Sequence, residues 1–165
     1  MSYKIAIMGA TGAVGREIIE VLSNRKFPVE ELKLYASHRS TGKVIETPFG
    51  KITIKDADTA DYSELDIAFF AISGSWSKAN AKKATDAGCY VVDNSSAYRY
   101  DNNVPLVVPE INAHAIGDSK LIANPNCTTA IAAIPLYALH KKYGLKKVII
   151  STYQATSGAG AAGMN

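Results

Sequence analysis

The chain has 165 residues, 47% hydrophobic and 20% charged, with a formal net charge of +3. That length supports one α/β domain with its own core, and the composition is that of a soluble globular protein. It has no arginine-rich stripe with interleaved aromatics, no apolar run of about 18 residues and no signal-like start, so nucleic-acid partners and membrane spans are not expected, and a cytoplasmic location is. Two cysteines without paired spacing, Cys89 and Cys127, argue against a disulfide framework or a zinc site, and no metal is expected.

Tyr3 to Met8 reads as a buried strand, followed by Gly9-Ala10-Thr11-Gly12-Ala13-Val14-Gly15 and a helix with Ile18, Ile19 and Leu22 on its apolar side. Strand, glycine turn and helix in this order open a dinucleotide-binding fold. The glycines permit the tight turn and let backbone approach a pyrophosphate at the helix N-terminus. The spacing is GxxGxxG, not the more usual GxGxxG, and a tight turn without a ligand is the plain alternative. Leu32 to Ala36 forms the second strand. Where an NAD site carries an acidic residue for the ribose 2′-hydroxyl, this chain has Ser37-His38-Arg39-Ser40-Thr41-Gly42-Lys43. Ser37, Arg39 and Ser40 suit a 2′-phosphate, which favours NADP; otherwise the segment is a solvated basic loop.

A hairpin is expected over Val44 to Lys55, turning near Phe49-Gly50-Lys51. Asp66 to Ile72 is a buried strand. Ser73 and Gly74 then open a helix through Lys78, Ala81, Ala84 and Ala87, either touching the cofactor or only capping the helix. Tyr90 to Asp93 is the next strand, with Cys89 a buried residue at its start. Asp93-Asn94-Ser95-Ser96 ends it, Val104 to Val108 is extended, and a helical turn falls near His114. Leu121 to Ala123 delivers Asn124-Pro125-Asn126-Cys127-Thr128-Thr129 into an apolar helix running to Tyr143. This puts a thiol where a loop ends and a helix begins, a position that favours anions and reactive thiolates. A small buried apolar residue is the alternative. Ala130, Ile131, Ala133, Ile134, Leu136, Tyr137 and Leu139 cover more than one stripe of that helix. Such a surface calls for a partner or for self-association. Lys146 to Gln154 reads as a strand, followed by the Ser157-Gly158-Ala159-Gly160 turn.

GATGAVG at 9–15, SHRSTGK at 37–43, DNSSAYR at 93–99, NPNCTT at 124–129 and TYQATSGAG at 152–160 together resemble the aspartate-β-semialdehyde dehydrogenase family, along essentially the whole chain. The resemblance implies reductive dephosphorylation of aspartyl phosphate with NADP(H), giving aspartate semialdehyde and phosphate on the way to lysine, threonine and methionine. It implies Cys127 as nucleophile, Asn126 and Gln154 as catalytic residues that position the substrate and acyl intermediate, and Arg99, with Asn126, as the phosphate-binding residues. It implies that Gly9, Thr11, Gly12, Ala13, Val14, Gly15, Ser37, Arg39, Ser40, Ser73, Gly74, Ser157 and Gly158 hold the cofactor. The expected fold is α/β: a Rossmann-like, doubly wound, mostly parallel sheet over 1–126. Residues 127–165 are then the first helix and strand of a second α+β catalytic and dimerisation domain, cut short. The complete enzyme is expected to be a homodimer.

The family's acid–base histidine and further basic and acidic substrate residues come from its carboxyl half. His38, His114 and His140 do not fit that role by position, so this chain looks like an amino-terminal portion that does not turn over alone. Three other readings remain. A short-chain dehydrogenase would use the Tyr137-Ala138-Leu139-His140-Lys141 spacing, but lacks its upstream serine. N-acetyl-glutamyl-phosphate reductases share the chemistry, though their cysteine surroundings fit less well. A non-catalytic NADP-binding domain has no use for the thiol.

Overall fold

The computed structural model describes residues 1–154 and residue 156. In chain order its elements are β1 (Tyr3–Met8), α1 (Ala13–Asn24), β2 (Val29–Ala36), a 3-10 turn over His38–Ser40, β3 (Val44–Thr47), β4 (Gly50–Thr53), β5 (Lys55–Asp56), a second 3-10 turn over Ala57–Thr59, β6 (Ile67–Phe70), α2 (Gly74–Asp86), β7 (Tyr90–Asp93), α3 (Pro109–Asn112), a third 3-10 turn over Ala113–Ile116, β8 (Leu121–Ala123) and α4 (Cys127–Tyr143). Six strands form one sheet in the order β5-β2-β1-β6-β7-β8, and β3 and β4 form a separate antiparallel hairpin. Every pairing in the large sheet is parallel. With the hairpin set aside, this is the 3-2-1-4-5-6 order of a doubly wound dinucleotide-binding sheet.

β1 sits at the centre and is covered on both faces, so it reads as an unbroken apolar run and not an alternation. Ile5 and Ile7 pack with Ile19, Leu22, Leu34 and Ile54 on the α1 side. Ala6 and Met8 face Phe70, Ala81, Ala84 and Val91 on the α2 side. Each such large side chain, fully buried, contributes about 1.5–3 kcal/mol.

Glycine is required at two points of the first turn. Gly9 has φ +89° and lies so close to β6 that a Cβ would meet the Ala71 carbonyl oxygen at 2.1 Å. A Cβ on Gly15 would sit 2.3 Å from the Gly9 carbonyl oxygen, so α1 packs directly on the turn that precedes it.

The hairpin turns slightly earlier than its sequence suggests. Thr47 pairs with Gly50, leaving Pro48 and Phe49 as the turn, and Gly50 begins the return strand at φ +103°.

On the α1 side, cover over the sheet stops short of β8. Phe69, Val92 and Ile122 are in register across β6, β7 and β8 and remain half-buried. Beside them a groove of about 270 Å³ is lined by Val14, Ile18, Val21 and Phe69.

α4 has no buried residue and ends at Gly144 (φ +68°), whose N–H donates to the His140 carbonyl at 2.8 Å. The expected strand from Lys146 to Gln154 is not formed. Ile149 there is 84% exposed, and no neighbouring strand among the described residues takes its backbone groups. Among the described residues no helix is long and apolar enough to cross a membrane, and no cluster of His, Cys, Asp and Glu could hold a metal ion.

Candidate functional site

A parallel sheet sends all its carboxyl-terminal loops to one edge, and open α/β folds bind ligands there, at the point where strand order reverses. Here that point lies between β1 and β6. The same edge gathers Gly9–Gly15 after β1, Ser37–Ser40 after β2, Ser73 and Gly74 after β6, Asn94–Arg99 after β7 and Asn124–Cys127 after β8.

The Tyr35 carbonyl accepts from both Gly9 N–H and Ala10 N–H at 2.9 Å, which clamps the turn to β2. Gly12 is the N-cap of α1, with no side-chain cap and no acidic residue in the first turn. No side chain therefore competes with an anion for the first-turn N–H groups. Thr11 is half-buried, and Ala13 and Val14 are exposed beside it.

At the end of β2, Ser37 and Arg39 are exposed and Ser40 is half-buried. A carboxylate does stand nearby, brought in by β5: Asp56 pairs with Ala36 in register. It is already engaged, by the Asp58 N–H at 3.1 Å and by His38 Nδ1 at 2.9 Å. These hydrogen bonds, the backbone one first, hold the Asp56 carboxyl below its ordinary range. A two-residue edge strand has no pattern of its own, so this neighbour is invisible in the sequence.

Ser73 is the N-cap of α2, its Oγ accepting from Trp76 N–H at 3.4 Å. Gly74 abuts the loop after β7, where a Cβ would lie 3.6 Å from Ala97 N and 3.7 Å from Ser95 Oγ.

Arg99 is half-buried and aimed by two carbonyls. Its Nε donates to Asn124 O at 3.0 Å and its Nη2 to Asn94 O at 2.8 Å. The two asparagines are joined, Asn124 Nδ2 donating to Asn94 Oδ1 at 2.6 Å. A guanidinium carries five N–H donors, so part of the fork is left for an anion. Behind it lies a fully buried carboxylate, Asp93, which accepts from Ser77 Oγ at 2.9 Å, Ser95 N–H at 3.1 Å and Ser95 Oγ at 2.8 Å. The two residues that aim Arg99 lie 30 positions apart, one in the DNSS run at the end of β7 and one opening the NPNCTT run after β8, and nothing local in the sequence paired them.

Cys127 is the first residue of α4 and is exposed. Asn126 caps the helix, its Oδ1 accepting from Thr128 N–H at 3.0 Å and Thr128 Oγ1 at 2.7 Å, with Cys127 Sγ 3.7 Å away. The first turn carries no acidic residue. Because Arg99 holds the Asn124 carbonyl, guanidinium and thiol belong to one short structural unit. Cys89 is the opposite case: buried at the start of β7, its thiol is pushed up to about 12 by desolvation.

Gln154 is exposed beyond the regular structure and makes no hydrogen bond among the described residues; Ser157 and Gly158 lie outside them. His38 stands at the far end of the edge, and His140 falls in the last turn of α4, roughly 20 Å from Cys127 at 1.5 Å per residue. Tyr137 is likewise about 15 Å along that helix, with Lys141 Nζ 5.4 Å above its ring. The Tyr137–Lys141 pair of the short-chain dehydrogenase spacing therefore lies along α4, away from Cys127.

The fold and its edge define a Rossmann-type dinucleotide-binding domain that leads directly into a helix bearing an exposed thiol. Residues 4–119 match the family model described as semialdehyde dehydrogenase, NAD binding domain, and the chain belongs to that family. It is 49% identical over 165 residues to the aspartate-semialdehyde dehydrogenase of Aquifex aeolicus, covering 98% of this chain and 48% of that protein. Among solved structures it is similar to aspartate semialdehyde dehydrogenase II from Vibrio cholerae (TM-score 0.93, 41% identity, 99% of this chain and 50% of that one). It is also similar to the Candida albicans aspartate semialdehyde dehydrogenase solved with NADP (TM-score 0.72, 28% identity, 88% and 48% covered). The chain spans about half the length of the curated relatives it matches.

Proposed function

We propose that this chain is the amino-terminal portion of an NADP-dependent aspartate-semialdehyde dehydrogenase, with 1–126 its cofactor domain and 127–165 the start of a catalytic and dimerisation domain. The observation that carries the reading is the exposed Cys127 at the start of α4, joined through Asn124 to Arg99, at the sheet edge that also holds the uncapped glycine turn.

The residues fit the cofactor. Gly9, Thr11, Gly12, Ala13, Val14 and Gly15 would hold the pyrophosphate on the α1 N-terminus. Ser37, Arg39 and Ser40 would hold the 2′-phosphate, since the nearby Asp56 carboxylate is taken up by His38 and Asp58. Ser73 and Gly74, with Ser157 and Gly158, would complete the nicotinamide side. When bound, the cofactor supplies or accepts the hydride.

The substrate is an anionic small molecule. Arg99 and Asn126 bind and orient the phosphate of aspartyl phosphate, a task suited to a planar guanidinium. The Cys127 thiolate attacks the acyl carbon, forming the S–C bond as inorganic phosphate leaves. Reduction of that thioester releases aspartate semialdehyde and returns the thiolate. Gln154 positions the acyl group. Covalent capture divides one hard transfer into two easier ones. The exposed free thiol suits a reducing, cytoplasmic compartment. In the complete enzyme, a homodimer would cover α4 and the catalytic domain that it begins.

The test is phosphate-dependent reduction of NADP by aspartate semialdehyde in the complete protein. Cys127→Ser should abolish it with NADP affinity retained, and Arg39→Ala should weaken NADP more than NAD. Full activity in Cys127→Ser sinks the reading.

A further inference from the structure

Asp93 is fully buried, and it forms no ion pair among the described residues. A buried carboxylate without a cation is costly unless hydrogen bonds replace its water, and an apolar residue would serve mere packing at less cost. Its partners show what it organises. Ser77, in α2, donates to Oδ1 at 2.9 Å. Ser95 donates its N–H to Oδ1 at 3.1 Å and its hydroxyl to Oδ2 at 2.8 Å. The Ser95 hydroxyl in turn accepts from Ala97 N–H at 3.1 Å, fixing the chain on the way to Arg99. The Asp93 main chain acts in the same direction, its carbonyl accepting from Asn124 N–H at 2.8 Å. Asn94, gripped between Asp93 and Ser95, presents the carbonyl that holds Arg99 Nη2, and Asn124 presents the one that holds Nε.

We propose that Asp93 is a positioning residue: by fixing Ser95 and Asn124 it sets the two carbonyls that aim Arg99 at an oxyanion. The inference rests on the reading of Arg99 as the phosphate-binding residue. The carboxylate has two arms of similar length and burial. The Ser95 arm leads to the guanidinium, and the Ser77 hydroxyl leads into α2; the Ser77 carbonyl also accepts from Tyr98 OH at 3.5 Å, a main-chain contact that Ser77→Ala keeps. Deleting either hydroxyl leaves a buried carboxylate one donor short, so both variants cost the fold, Ser95→Ala the more because it also strips the Ala97 N–H of its acceptor. Only the Ser95 variant is expected to cost anion binding.

The experiment is isothermal titration of inorganic phosphate into the complete protein, with the NADP dissociation constant and thermal unfolding measured alongside. Ser95→Ala is expected to weaken phosphate binding roughly tenfold, about one misdirected charge-assisted hydrogen bond, while Ser77→Ala changes it by less than about twofold although it too lowers thermal stability. In turnover the Ser95→Ala effect falls on KM for phosphate and not on kcat. Combining Ser95→Ala with Arg99→Lys should be no worse than Arg99→Lys alone, because both act through one guanidinium. Equal effects of the two serine variants, full additivity with Arg99→Lys, or no phosphate binding by the parent protein would overturn the proposal. A parent protein that binds phosphate but shows no phosphate-dependent NADP reduction refutes the enzymatic reading instead, and the serine pair still decides the role of Asp93. Asp93→Asn is the third variant; if it folds with unchanged phosphate affinity, the proposal fails.

Discussion

At the scale of single residues, the two cysteines differ in everything except chemistry. Cys127 is exposed at a helix start, whereas Cys89 is fully buried with its thiol pushed up to about 12. Native protein treated with iodoacetamide near neutral pH should therefore be modified at Cys127 and not at Cys89, and denaturant should release Cys89. Peptide mass spectrometry reads both sites in one sample, and early labelling of Cys89 would contradict the burial. Asp56 makes a second prediction. Its folded carboxyl is held low, so it stabilises the native state above the ordinary carboxylate range, and that contribution is lost as pH falls through the folded value. Asp56→Asn should accordingly narrow the difference in Tm between about pH 6 and about pH 3. A difference as large as in the parent protein would show that Asp56 is not a source of the acid sensitivity.

At the scale of elements, the glycine turn makes two separable demands. A Cβ on Gly15 would strike backbone at 2.3 Å, where nothing flexible can yield, so Gly15→Ala should cost about 1–3 kcal/mol of stability. Gly12 has φ −76° and a Cβ there would meet Gly9 O at 3.3 Å. Gly12→Ala should be tolerated at under about 1 kcal/mol, yet weaken NADP roughly tenfold by obstructing the approach of the pyrophosphate. Urea unfolding and cofactor titration separate the two effects, and similar behaviour of both variants would refute the assignment.

The elements also show what sequence can and cannot reveal. β1, β2, β6, β7 and β8 were legible because their apolar runs are punctuated by turn residues. β5 was not, because Lys55 and Asp56 carry no pattern and are strand only by pairing with β2. Val148, Ile149 and Ile150 have the pattern without the pairing, and remain exposed. Cys127 and the glycine turn were readable from local spacing. The Asp93 network was not, since Ser77 and Asp93 meet across 16 positions of chain. Asp56 escaped for the same reason.

At the scale of the whole molecule, apolar surface is the leading feature. Phe69, Val92 and Ile122 form a half-buried row on the sheet, and Ile131, Ile134 and Leu139 are exposed on α4. Apolar surface of that kind drives association in water. The 165-residue chain is expected to bind ANS and to self-associate at micromolar concentration, as light scattering would show. A dye-negative monomer would mean that these residues are covered in solution.

The open start of α1 has a consequence of another kind. Without a side-chain cap at Gly12, the first-turn N–H groups of α1 are left to solvent or to a bound anion. An anion seated there finishes the helix, so its concentration enters the folding equilibrium. Ligand at 100 times its dissociation constant adds about 2.7 kcal/mol to native stability. The resistance of this domain to proteolysis is then expected to rise with the concentration of dinucleotide around it, as limited proteolysis with and without NADP would show.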